Sequence, residues 1–83
     1  MGRTRNPVDV AVGDNVRLQR MRLGLGRSFL AEKLGIPLAE FEDCEVGSRR
    51  FGAERLLKIA LLMGVSPGCF FEVLSVDRRE LLH

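Results

Sequence analysis

Glycine and proline divide this chain at intervals that leave room only for short helices. Gly24, Gly35, Gly47 and Gly64 stand 11, 12 and 17 residues apart, and Pro7, Pro37 and Pro67 each open a stretch with helical apolar spacing. Proline suits the first turn of a helix and glycine the residue just past its end, so the pattern marks starts and stops. It predicts helices from about Pro7 or Val8 to Leu23, Arg27 to Leu34, Pro37 to Val46 and Ala53 to Met63. A fifth begins at Ser66-Pro67 and carries Cys69, Phe70, Phe71 and Leu74. No segment alternates with a strand period and no internal repeat is present. The fold class is all-α, a compact bundle of five short helices. Residues 1–7 read as a flexible basic arm, residues 8–74 as the folded domain, and residues 75–83 as a tail or short helix.

The helical spacing also nominates a core. On a wheel of 100° per residue, Val8, Val12, Val16, Gln19 and Leu23 gather in one sector of the first helix. Leu30, Ala31 and Leu34 follow in the second, Phe41 anchors the third with Cys44 and Glu45 on its inner side, and Leu56, Leu57, Ile59, Ala60 and Met63 point inward from the fourth. With 83 residues there is room for one domain and one modest core, without a separate catalytic or effector domain. A composition of 46% hydrophobic and 29% charged residues excludes a disordered chain, and the lack of Trp and Tyr leaves five Phe as the aromatic anchors.

Charge is distributed unevenly. Residues 1–35 hold seven Lys and Arg against three acids, residues 36–47 hold four acids and no base, and residues 48–83 hold six bases against four acids. A basic body brackets an acidic third helix. The only histidine, His83, ends the sequence, which leaves imidazole catalysis no candidate in the folded body, and Cys44, Cys69 and His83 lack metal-ligand spacing. A binding protein rather than an enzyme is expected, with no cofactor and no metal. No apolar run is long enough to cross a membrane and the start is not a signal segment, so a reduced, cytoplasmic protein with no membrane partner is the reading.

The order and spacing of several motifs then carry a resemblance. Val12-Gly13, Val16-Arg17, Arg20, Gly24-Leu25, Leu30 to Ile36, Glu45-Val46-Gly47, Arg50, Ala53 to Ala60 and Gly64-Val65-Ser66 are similar to the bacterial Cro/lambda-repressor-like, or XRE-type, helix-turn-helix family. The likeness covers about residues 8–72. It implies a transcriptional regulator that binds double-stranded DNA as a homodimer on an inverted repeat, with the third helix in the major groove and the second lying across it. It further implies a structural ion pair between Arg20 and Glu45, the positions where the family pairs an arginine of the first helix with the glutamate closing the third. Where the family has Ser-Gln at the start of the second helix this chain has Gly26-Arg27, and Arg27 is a candidate phosphate contact. The residues implied to meet DNA are Arg27, Leu38, Ala39, Glu40, Glu42, Asp43, Ser48, Arg49 and Arg50, with Arg3 and Arg5 of the arm within reach of a minor groove.

The acids on the third helix oppose that role. Like unit charges 4 Å apart repel by about 4 kcal/mol at an effective dielectric near 20, and by about half that at 8 Å. With Glu45 assigned to the internal pair, Glu40, Glu42 and Asp43 remain, and one acid, though not obviously three, can read a cytosine amino group. Outward-facing Val10, Ala11, Leu18, Met21, Phe29 and Leu61 suggest a further covered surface. Phe70, Phe71, Leu74, Val76 and Leu81 form the natural dimer seam, with satellite core packing an equal reading for the two Phe. The alternative function is a repurposed helix-turn-helix module that binds another regulator or RNA polymerase through its acidic third helix and exposed apolar residues.

Overall fold

The computed structural model describes residues 6–71. Four α-helices follow one another, α1 Pro7–Arg22, α2 Arg27–Leu34, α3 Leu38–Val46 and α4 Ala53–Met63, and a 3-10 helix, Pro67–Phe71, closes the described chain. The Asn6 side chain accepts from the Val8 and Asp9 amides and Pro7 takes the first helical position, so α1 is capped by its own sequence. Pro37 sits just outside α3 with extended backbone rather than in its first turn.

Val16, Leu30, Phe41, Cys44, Ile59 and Phe70 are fully enclosed and form the centre of one core shared by all the elements. Phe51, from the loop after α3, meets Phe41 edge to face with centroids 5.7 Å apart. Asn15 on α1 is also buried, and its Nδ2 donates to the Phe70 carbonyl at 2.8 Å, tying the last described turn back to α1. Every buried side-chain nitrogen and oxygen among the described residues has a partner.

Three expectations from the sequence fail here for identifiable reasons. The helical spacing puts Val8 and Leu23 in the core stripe of α1, yet they are 45% and 48% exposed. The stripe that is buried runs through Val12, Gly13, Asn15, Val16 and Arg20, and Leu23 stands past the last helical residue as the cap of α1. Val8 instead lines an apolar pocket of about 220 Å³ with Val12, Phe51, Leu56 and Phe71. Leu57 is 54% exposed because Ile59, Ala60 and Met63 set the buried sector of α4 and leave Leu57 on its solvent side. The fifth helix is a 3-10 turn over the described residues: Cys69 N reaches back only three residues to the Ser66 carbonyl, at 3.0 Å, and Gly68 disfavours a regular α turn. Leu74 lies outside the described residues.

A close backbone approach fixes α3 against α1. A Cβ added at Gly13 would stand 2.3 Å from the Glu45 carbonyl oxygen, and one at Gly47 would stand 2.6 Å from the Val10 Cα. Gly47 also adopts φ +88°, a left-handed conformation that closes α3 and that other residues take at a cost. The two glycines therefore let α1 lie directly on the C-terminal end of α3.

Candidate nucleic-acid interface

Helix α3 buries three of its nine residues, Phe41, Cys44 and Glu45, and turns the rest outward or sideways. It is joined to α2 by a tight turn in which Gly35 N donates to the Glu32 carbonyl and Ile36 N to the Ala31 carbonyl. Leu38 and Ala39 open the outward face, which continues through Glu42, Asp43 and Val46, all of them exposed.

The acids of α3 divide sharply by environment. Glu45 is 4% exposed and held from two sides. Arg20 Nε donates to its Oε2 at 2.7 Å, and Arg27 Nε donates to its Oε1 at 2.9 Å. Arg20, itself buried, sends a further bond from Nη1 to the Leu25 carbonyl at 3.0 Å. Removing two charges from water costs several kcal/mol each, and such a cluster persists only when its hydrogen bonds are nearly complete, as they are here. Glu40 has turned to the other flank, where Arg55 Nη2 of α4 lies 2.8 Å from its Oε2. Glu42 and Asp43 are exposed and make no side-chain ion pair among the described residues.

The cations around this face are committed to different degrees. The hydrogen bond it donates to Glu45, then the charge of that carboxylate, holds the Arg27 guanidinium above the ordinary arginine range, with a smaller contribution from Glu42. Half the Arg27 side chain remains open to solvent, at 47%, so it still presents donors outward. Arg50 is more exposed, at 71%, and its Nε donates to Asp9 Oδ1 at 3.2 Å. Arg49 is exposed, with no side-chain partner among the described residues. Its amide and that of Ser48 both donate to the Asp43 carbonyl, as does the Ser48 hydroxyl at 3.2 Å, which fastens this loop to the end of α3.

Two partners in this arrangement have no counterpart among the site residues read from the sequence. Arg55 neutralises Glu40 from another helix, and no periodic signal links residues on separate elements. Asp9 stands in the first turn of α1, where its favourable interaction with the helix dipole fully accounts for it, yet it also restrains Arg50. Cys44 is enclosed, and burial pushes its thiol up while Arg55 pulls partly the other way, so it remains a neutral thiol. Among the described residues, no group of His, Cys, Asp and Glu could hold a metal ion, and no helix is long and apolar enough to cross a membrane. Of the seam residues, Phe70 is fully buried and belongs to the core, which decides its reading against an exposed dimer contact. Phe71 is 41% exposed, and Leu74, Val76 and Leu81 lie outside the described residues.

No family model matches the sequence. Curated relatives do: a transcriptional regulator in the ATPase CF(0) region of Rhodospirillum rubrum is 36% identical over 81 residues, which covers 98% of this chain and 73% of the relative. The chain belongs to the helix-turn-helix transcriptional regulators. HTH-type regulators of Sinorhizobium medicae and Rhizobium meliloti are each 40% identical over 67 residues, 81% of this chain and 48% of theirs, so the chain spans about half the length of these two relatives. Among solved structures, the restriction-modification controller protein C.AhdI from Aeromonas hydrophila superposes with a TM-score of 0.69 at 27% identity, covering 76% of this chain and 96% of that one. The clp gene regulator ClgR from C. glutamicum gives 0.77 at 19% identity over 87% and 94%, a likeness of fold. The helix-turn-helix resemblance thus agrees with the relatives and with C.AhdI, and these relatives are named as regulators rather than enzymes.

Proposed function

We propose that this helix-turn-helix regulator is of the XRE type and works in the cytoplasm as a homodimer on an inverted-repeat DNA site. In this reading α3 enters the major groove, α2 lies across it, and Arg27, Arg49, Arg50 and Ser48 meet phosphates on either side. The observation that carries it is the internal pairing of two of the four acids on α3, Glu45 with Arg20 and Arg27, and Glu40 with Arg55, beside exposed arginines on the flanking loop. The electrostatic opposition to DNA therefore shrinks to Glu42 and Asp43. The exposed Phe71 supports a dimer contact, completed by Leu74, Val76 and Leu81.

A salt titration tests this directly. Log affinity for duplex DNA falls linearly with log salt, with a slope of about −0.9 per phosphate neutralised, and replacing both Arg49 and Arg50 by Ala flattens the slope by roughly two. A folded protein that binds no genomic fragment at low salt overturns the proposal.

The second reading, a module that binds another regulator or RNA polymerase, is favoured by one observation. Unpaired Glu42 shares a cleft of about 570 Å³ with exposed Val10 and Val46, between α1 and α3. Replacing Glu40, Glu42 and Asp43 by their amides raises nonspecific DNA affinity on either reading. Only on the second does it abolish capture of a protein partner.

A further inference from the structure

The exposed face of α3 carries no side-chain hydrogen-bond donor. Leu38 and Ala39 are apolar, Glu42 and Asp43 are acceptors, and Val46 is apolar. In the major groove both purines present the acceptor N7, which guanine doubles with O6 and adenine sets beside its amino group, so a carboxylate facing either purine meets an acceptor. Pyrimidines offer what this surface can use: cytosine presents the N4 amino donor and thymine a C5 methyl group.

We infer that α3 reads pyrimidines in duplex DNA, thymine methyl groups through Leu38 and Ala39 and a cytosine amino group through Asp43. The inference rests on the DNA-binding reading above and specifies what that surface recognises. Leu38 is 41% exposed at the first position of the helix, and Ala39 follows it. Asp43 lies four residues after Ala39 and therefore on the same strip of surface, one turn further along. Glu40 is drawn 2.8 Å from Arg55 on the α4 flank, so the free carboxylates on this face are those of Glu42 and Asp43. The arginines of the flanking loop hold the backbone without reading sequence, so discrimination falls to these three side chains.

Sites selected from random duplexes by the full 83-residue chain at low salt supply the probe. Each thymine of the selected site is then replaced by deoxyuridine, which removes the methyl group and keeps the pairing. Affinity drops about fourfold at each contacted thymine, the value of one buried methyl, and Leu38→Ala erases the drop at one of them. Asp43→Asn, whose amide both donates and accepts, moves the preference at one position from cytosine to adenine. Leu38 and Asp43 are exposed, and thermal melting of both variants verifies that they fold. Binding indifferent to the thymine methyl groups, or an unchanged preference with Asp43→Asn, overturns this inference and leaves DNA binding standing. A folded protein that binds no duplex overturns both.

Discussion

Glu40 and Glu45 sit five residues apart on one short helix and have arrived at opposite fates. Glu45 is enclosed between Arg20 and Arg27, bonded through both oxygens, and inseparable from the packing of α1, α2 and α3. Glu40 keeps a quarter of its side chain in solvent and meets a single arginine from α4. Counting charges along a helix treats the two as equal, whereas burial makes one a structural element and the other an adjustable surface group. Half of the acids of α3 are therefore answered by arginines within the fold, and the part that any ligand meets is smaller than its sequence suggests.

The comparison breaks most severely at Glu45. Glu45→Ala strands Arg20 as a buried charge without its partner and destabilises the fold by about 3–5 kcal/mol in urea titration. An apolar pair at both positions, Arg20→Met with Glu45→Leu, recovers most of that loss. Gly13→Ala comes next, since its new Cβ must push the Glu45 carbonyl away; overpacking of this kind costs about 1–3 kcal/mol. At Glu40 the effect moves from stability to binding. Arg55→Ala changes the melting free energy by about 1 kcal/mol or less and weakens DNA binding by releasing a carboxylate toward the groove. Adding Glu40→Gln restores that binding, and a double variant no tighter than Arg55→Ala alone refutes the shielding role. Asp9→Asn leaves stability nearly unchanged, frees Arg50, and steepens the salt dependence of binding.

The smallest effect concerns Cys44, beside the same arginine. Burial raises its thiol, so the folded chain holds that proton more tightly than the unfolded chain does. The stability it contributes is complete below about pH 8.5, the ordinary thiol value, and declines as pH rises above it. Denaturant midpoints compared across that range for the native chain and Cys44→Ala reveal the difference, and identical slopes would contradict it.

Much of this organisation is legible in the sequence, and what is not has a common cause. The glycines and prolines locate α1 to α4, because those residues act through their own backbone torsions. The inner side of α3 follows from its periodicity for the same local reason. Periodicity also places Val8, Leu23 and Leu57 inside, but which part of a helix its neighbours cover is set by the assembled packing, which the pattern along one helix does not contain. The pairings of Arg55 with Glu40 and of Arg50 with Asp9 join residues 15 and 41 positions apart, and only the assembled fold brings them together. Arg20 with Glu45 was accessible because a family resemblance supplied what spacing alone could not.

At Gly13 helix α1 lies backbone to backbone on the end of α3, and at Gly47 the Val10 backbone and side chain close on the cap of α3. A joint of that kind has no cushion, so the pitch of the reading helix is a property of the whole domain. On the proposal that α3 enters the major groove, a duplex whose groove runs at a different angle must bend to meet the protein, and its stiffness then enters the choice of site even at base pairs that α3 never touches.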